Sequence, residues 1–184
     1  MQPSPSTEEQ SRWLTTARQA IAAHWQPTGP LLKLDWASHC LDAFVSLHLG
    51  SELRGCMGRL DNPQPWQVSL PALAQACAFE DPRFPPLTEA ELARGWLEIS
   101  VLLAKQPCPA HSREALLQAL EPQRGLILQQ GQRRTLFLPQ VWHKLTEQEA
   151  FVDALLGKGG WSTAGWPAGM KAWQFDCLVV SEPH

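Results

Sequence analysis

The sequence SELRGCMGRL, residues 51–60, brings together residue types that could carry out chemistry. Cys56 is a nucleophile once its thiol ionises, and a cation close by, as at Arg54, favours that ionisation. Gly55 and Gly58 weaken a strand interior, but they allow a ligand to approach the backbone closely. We predict a site in which Cys56 is the nucleophile or a substrate contact, and Arg54 stabilises the thiolate or binds an anionic group. The alternative is that Cys56 is a small buried hydrophobic residue.

The element that must position this site is a β-hairpin. The segments 42–49 and 52–59 have strand-like patterns, and they flank the dipeptide Gly50-Ser51. A two-residue loop that begins with glycine is typical of a type II′ turn.

The register of that hairpin decides which residues share a face. Counting from the two-residue loop sets Leu47 opposite Arg54 and Val45 opposite Cys56, although a bulge at one of the glycines would change the count. In this register His48 lies on the face opposite Cys56. The spacing therefore assigns no Cys–His pair, and no general base for the thiol is identified.

A proline-stiffened stretch, EDPRFPPL at 80–87, offers a second group of polar residues. We predict that Glu80, Asp81 and Arg83 line the rim of a pocket and contact substrate, because rigid loops often hold functional side chains. The alternative is local: Asp81 ends a helix and forms a surface ion pair with Arg83.

Other motifs give weaker indications. Gln140, in FLPQVW at 137–142, follows the end of a strand and is a candidate substrate-binding residue. The glycines at 157–160 lack the spacing of a phosphate-binding loop. His39 and Cys40 are adjacent and no CxxC pair exists, so we predict no metal site; the cofactor is left unassigned.

The remaining pattern predicts an α+β protein with a mainly antiparallel sheet flanked by helices, because hairpins and helices alternate without a βαβ rhythm. Residues 1–5 are predicted to be disordered and residues 6–184 to form a single domain. One helix is expected to begin at Ser69, with Pro71 in its first turn, and another to be capped by Thr146.

Composition limits the classes of partner. The chain has 184 residues, 44% of them hydrophobic, and a net charge of −3 with its cations scattered. This argues against nucleic acid as a partner, and no apolar stretch has the length of a membrane span. Five widely spaced cysteines favour reduced thiols in a cytoplasmic protein over a disulfide framework.

LRGCMG and six further ordered blocks between about residues 41 and 160 resemble the AMMECR domain family, also called AmmeMemoRadiSam system protein A. The blocks are LRGCMG with AFVSL before it, then AFEDPRFPPL, LEISVL, GLIL, FLPQVW and LLGKGG. Met57 stands where isoleucine is typical of the family, and Arg124 where a histidine or an acid is expected. Neither departure changes the Arg, Gly or Cys of the LRGC motif.

The resemblance implies an α+β fold with an antiparallel sheet and a smaller subdomain. It also implies that LRGCMG marks an active or binding site, and that a Memo-like protein and a radical SAM protein are partners. It brings no settled reaction. Two functions therefore stay open. One is an enzyme, or enzyme component, using Cys56 and Arg54 on a small substrate. The other is a non-catalytic adaptor that binds such partners through a strand edge or the Pro-rich loop.

Overall fold

A computed structural model describes residues 4–184 as five α-helices, six β-strands and one 3-10 helix. The helices are α1 (Thr7–Ala22), α2 (Trp66–Phe79), α3 (Glu89–Arg94), α4 (Arg113–Ala119) and α5 (Gln148–Lys158), with the 3-10 helix at Pro139–His143. The strands are β1 (Ala43–Leu49), β2 (Glu52–Arg59), β3 (Trp96–Cys108), β4 (Gly125–Gln130), β5 (Arg133–Phe137) and β6 (Lys171–Ser181). The disorder predicted for residues 1–5 falls mostly on residues 1–3, which lie outside the described residues.

The strands form one six-stranded sheet in the order β2-β1-β3-β6-β4-β5. β1 pairs antiparallel with β2 and with β3, and β4 pairs antiparallel with β5 and with β6. The predicted α+β class is therefore confirmed. β2 is an edge strand, as is β5 at the other end of the order, so one side of the β2 backbone must find hydrogen-bond partners outside the ladder.

The described chain divides into two compact units. The first comprises residues up to Val101 together with Leu178–His184, and the second comprises Leu102–Cys177. In the first unit, tryptophans of α1 and α2 pack edge to face, with the ring centroids of Trp13 and Trp66 5.3 Å apart. In the second unit, Phe151 of α5 stacks on Trp142 at 4.0 Å within a separate apolar core.

Two predicted helix starts are wrong. α2 begins at Trp66, three residues before Ser69, because the Trp66 N–H donates to the carbonyl oxygen of His39 at 2.7 Å and anchors an earlier first turn. Pro71 consequently lies inside the helix instead of in its first turn. α5 begins at Gln148, and no side chain donates or accepts the capping hydrogen bond that was expected from Thr146.

Candidate functional site

A β-bulge in the first hairpin changes the predicted register. Leu49 pairs with Glu52, as counted, but the register shifts between Leu47 and His48, and Leu47 pairs with Gly55. Arg54 is thus the extra residue of β2, and the count that placed Val45 opposite Cys56 is wrong. The partner of Cys56 is Ser46. A bulge leaves one residue unpaired and reverses the facing of every residue beyond it.

The corrected register gives the hairpin one buried apolar face and one mixed face, which we call the polar face because Ser46 and Cys56 lie on it. Val45, Leu47 and Ile99 are fully buried on the apolar face. The opposite face carries Ser46, which is 7% exposed, and its cross-strand partners. Side chains alternate between faces along a strand, so Cys56 belongs to this second face.

Three polar side chains form a row across the polar face. Ser46 of β1 pairs with Cys56 of β2 on one side and with Glu98 of β3 on the other. Directly opposed residues in an antiparallel pair have Cβ atoms about 4.5–5.5 Å apart. A thiol, a hydroxyl and a carboxylate therefore follow one another across three strands.

Cys56 is held at both its side chain and its backbone. Its thiol is partly exposed, and the Ser46 hydroxyl donates to Sγ at 3.2 Å. Its N–H, on the outer side of the edge strand, donates to Oδ2 of Asp81 at 2.9 Å. The side chain that satisfies this edge N–H thus comes from the loop after α2.

Asp81 is a buried carboxylate paired with Arg83. Oδ2 accepts from Arg83 Nη2 at 2.7 Å and Oδ1 from Nε at 3.0 Å; the Asp81 side chain is 3% exposed and that of Arg83 56%. These hydrogen bonds, with that from the Cys56 N–H, hold the pKa of Asp81 well below its usual range although burial opposes them.

Glu80, in contrast, is exposed, and its backbone N–H donates to the carbonyl oxygen of Ala76 at the end of α2.

The Arg54 guanidinium binds other partners than the thiol. Its Nε and Nη2 donate to the two carboxylate oxygens of Glu91 at 2.9 and 3.1 Å, and Nη2 also donates to the carbonyl oxygen of Pro85 at 3.0 Å. These bonds and those from Thr88 lower the pKa of Glu91 to about 2. Arg54 therefore connects α3 and the Pro-rich loop to the edge strand, and its action on the Cys56 thiol stays a prediction.

The two glycines of the motif serve close packing. A Cβ on Gly55 would come within 2.3 Å of the carbonyl oxygen of Cys77 in α2, and one on Gly58 within 2.2 Å of the ring of Phe44. Protein atoms therefore fill the space that a side chain would take at either glycine, and the assignment of both as substrate contacts stays a prediction.

Two titratable groups near the row have altered ionisation. Burial raises the pKa of Cys77, which lies beneath Gly55, to about 12. His48 shares the face of Cys56, contrary to the predicted register, and its ring stacks on Trp96 at 4.2 Å. Burial, with the charge of His184, lowers the pKa of His48, and its buried Nε2 has no hydrogen-bond partner in the described part of the chain.

Gln140 lies in the second unit, within the 3-10 helix Pro139–His143, and is partly exposed. Its assignment to the site stays a prediction. Within residues 4–184, no three histidine, cysteine or acidic side chains are gathered as they would be around a metal ion. None of the helices described combines the length and the apolar character needed to span a bilayer.

Sequence reasoning missed Ser46, Glu98 and Glu91. LEISVL alternates apolar and polar residues, and Ser46 is the single polar residue of AFVSL, so both patterns indicate that Ser46 and Glu98 face away from the core. Their alignment with Cys56 depends on the bulge, and no residue pattern placed the bulge at Arg54.

An α+β protein with this sheet order and a conformationally restrained thiol on its edge strand can be compared with known proteins. The AMMECR1 family model matches residues 14–180, nearly the whole chain. The chain therefore belongs to the AMMECR1 family, and the resemblance noted in the sequence is confirmed.

The chain is also similar to curated proteins and to a solved structure. A protein of Thermofilum pendens is 36% identical over 138 residues, covering 71% of this chain and 63% of its own length, so the match spans less than two thirds of that relative. Protein MJ0810 of Methanocaldococcus jannaschii is 32% identical over 148 residues, covering 76% and 72%. The crystal structure of uncharacterized protein PH0010 from Pyrococcus horikoshii shares the fold, with a TM-score of 0.84, 24% identity and coverage of 97% and 94%.

Proposed function

We propose that this chain is an enzyme, or a component of one, that uses the thiol of Cys56 as the nucleophile toward a small electrophilic substrate. One observation carries the proposal: the partly exposed Cys56 thiol accepts a hydrogen bond from the buried Ser46 hydroxyl, and the Asp81 carboxylate accepts one from the backbone N–H of Cys56. A hydrogen bond to sulfur stabilises the thiolate, and fixing the backbone limits the directions in which the sulfur can attack.

The other motif residues take supporting roles in this proposal. Asp81 fixes the backbone of Cys56, and the exposed part of the Arg83 guanidinium is available to an anionic group of the substrate. Arg54 is a positioning residue that acts through Glu91 and the Pro-rich loop. Glu80 and Gln140 remain candidate substrate contacts, and Gly55 and Gly58 contribute by packing.

The test is covalent capture at Cys56. The full chain is incubated with small electrophiles of different classes, such as a thioester, an acyl phosphate and an activated ester, and digested for mass spectrometry. We expect an adduct on the Cys56 peptide that is absent from Cys56→Ser and unaffected by Cys40→Ser, which removes an exposed thiol. A folded protein that gives no adduct at Cys56 with any class would overturn the proposal.

A second function, an adaptor for a Memo-like or radical SAM partner, is favoured by a different observation. β2 is at the sheet edge and Leu53 on it is 38% exposed. Exposed edge strands can accept a partner strand, although Asp81 already binds the edge N–H of Cys56.

The test of the adaptor function is binding of purified partners of these two kinds to wild type, to Leu53→Glu and to the control Val68→Glu, which changes another exposed apolar residue. Loss of binding in Leu53→Glu alone would favour the adaptor; unaltered binding, or none, would exclude this surface.

The state of the cysteines supports a reducing compartment. The five cysteines all lie within the described residues and none is joined in a disulfide. Structural disulfides are rare where thiol reductants are abundant, and we therefore include a cytoplasmic location in the proposal.

A further inference from the structure

The Arg83 guanidinium lies close to Cys56 because both residues bind the same carboxylate oxygen. Oδ2 of Asp81 accepts from the Cys56 N–H at 2.9 Å and from Arg83 Nη2 at 2.7 Å. The two nitrogen atoms are therefore no farther apart than two hydrogen-bond lengths. The hydrogen bonds to Asp81 raise the pKa of Arg83 most, and the negative charge of an ionised Cys56 raises it further, although burial opposes both. A cation thus lies beside the proposed nucleophile.

Arg83 is held on one edge and open on another. Its backbone N–H and its Nε donate to Oδ1 of Asp81 at 3.1 and 3.0 Å, and its Cζ lies 5.4 Å from the centre of the Phe84 ring. Its Nη1 has no hydrogen-bond partner among residues 4–184, and 56% of the side chain is exposed. A guanidinium that is already oriented loses little conformational freedom on binding, so this open edge suits an anionic group.

Arg54, the other arginine at the Phe84 ring, is not open in this way. Its Cζ lies 5.7 Å from the ring centre, but its side chain is only 11% exposed. Its Nε and Nη2 donate to Glu91, and Nη2 also donates to the carbonyl oxygen of Pro85. Of these two arginines, Arg83 is therefore the one that an anion arriving from solvent can reach.

The negative charge of Asp81 does not close this place to an anion. The Asp81 side chain is 3% exposed, and its oxygens accept from Arg83 and from the Cys56 N–H. The part of the ion pair that water reaches is thus the guanidinium. Because the interaction between charges weakens with distance, an approaching anion is attracted by the nearer cation more than it is repelled by the carboxylate behind it.

We propose that Arg83 selects the substrate: Cys56 attacks small electrophiles that carry a carboxylate within a few bonds of the reacting carbon, and Arg83 Nη1 binds that carboxylate. This inference rests on the proposed function of Cys56 as a nucleophile. One open nitrogen on one cation matches a singly charged group, and the short span from Arg83 to Cys56 limits how far that group lies from the reacting carbon. Asp81 is a positioning residue, because it holds both partners.

Iodoacetate and iodoacetamide test this selection because they have nearly the same shape and differ in charge. With either reagent, the Cys56 thiol gives its proton to the buffer, the ionised sulfur attacks the methylene carbon, and iodide leaves with the electron pair of the C–I bond. Both reagents use the same thiolate. The ratio of their rates therefore does not depend on how much thiolate is present, and a merely structural change at Cys56 gives no reason for the ratio to move.

The measurement is the ratio of the iodoacetate rate to the iodoacetamide rate at Cys56 in the full chain, followed by mass spectrometry. The exposed Cys40 is the reference within the same molecule. In low salt we expect the ratio at Cys56 to be about threefold higher than at Cys40, which is the size of effect that a solvent-exposed ion pair gives. Added salt should lower the ratio at Cys56 toward that of Cys40, because it screens the cation.

Variants assign the preference to Arg83. Arg83→Gln should lower the ratio at Cys56 to that of Cys40, and Arg83→Lys, which keeps the charge, should retain part of the preference. Arg59→Gln, which removes an exposed arginine at the end of β2, is the matched control and should leave the ratio unchanged. The salt series on wild type tests the same cation without any substitution, so a variant that fails to fold does not prevent a decision.

The outcomes separate this inference from the proposed function. Equal ratios at Cys56 and Cys40 in wild type, or a preference that survives Arg83→Gln, would overturn selection by Arg83. Rapid alkylation of Cys56 by iodoacetamide in that case would still support a nucleophile. If neither reagent modifies Cys56 in the folded chain while Cys40 reacts, both proposals are wrong.

Discussion

Gly55 lies directly against the backbone of Cys77, so that a Cβ at Gly55 would come within 2.3 Å of the Cys77 carbonyl oxygen. The obstacle is backbone in a helix and cannot rotate aside. The LRGC motif therefore fixes the distance between the hairpin and α2, and the thiol of the next residue depends on that distance for its own position.

We expect Gly55→Ala to lower the free energy of unfolding by about 1–3 kcal/mol, because the added methyl group overpacks a fixed contact. Urea unfolding followed by tryptophan fluorescence measures the change. Gly29→Ala is the matched control, since a Cβ there meets no atom within 4 Å. Equal stabilities for the two variants would contradict this account of the motif.

Asp81 should protect the edge of β2 at Cys56. Its Oδ2 accepts a hydrogen bond from the Cys56 N–H at 2.9 Å. Asp81→Asn replaces this charged acceptor with a neutral one and weakens the bond, so amide hydrogen exchange at the Cys56 N–H should become about tenfold faster or more. Residue-resolved exchange measured by NMR checks this. Asp35→Asn, which alters an exposed ion pair with Arg12, should leave the rate unchanged. An unchanged rate in Asp81→Asn would show that the carboxylate does not secure the edge.

The Arg54–Glu91 pair should make stability depend on acid pH. The pKa of Glu91 falls from its ordinary 4.5 to about 2 in the folded state, so its contribution is complete above pH 4.5 and is lost as the pH drops toward 2. Glu91→Gln should be less stable at pH 7 by about 1–3 kcal/mol, with the difference shrinking on acidification.

The check on Glu91 is urea unfolding at a series of pH values between 7 and 2. Glu52→Gln changes an exposed acid and should follow the wild-type curve. A constant difference between Glu91→Gln and wild type across that range would mean that ionisation of Glu91 is not what stabilises the loop.

The sequence predicted the fold well where local rules decide. Gly50 has a positive φ of 58°, as the predicted Gly50-Ser51 turn requires, and Gly131 has one of 59° in the turn between β4 and β5. Thr88 and Glu91 have the three-residue spacing that is typical of a capping box, and that box is present at the start of α3. Strand alternation and turn preferences depend on a few neighbouring residues, so they can be recognised in a single sequence.

The candidate site was less predictable because its geometry depends on contacts between distant segments. The predicted rim residues Asp81 and Arg83 do lie together, and Asp81 also accepts a hydrogen bond from the backbone of Cys56, which no residue pattern indicated. Arg54 binds Glu91, thirty-seven positions away. A one-residue bulge at Arg54 changes which side chains share a face with the Cys56 thiol. The length of the turn sets the register only up to the bulge and does not predict where the bulge lies.

The most direct test of the central claim is the rate at which each cysteine reacts with iodoacetamide in the folded chain. Cys40 is the exposed reference, and Cys77, buried with a pKa of about 12, is the unreactive one. The account predicts that Cys56 is alkylated without urea, far ahead of Cys77. Labelling of Cys56 only under conditions that also unmask Cys77 would make it a packing residue and contradict its role as a nucleophile.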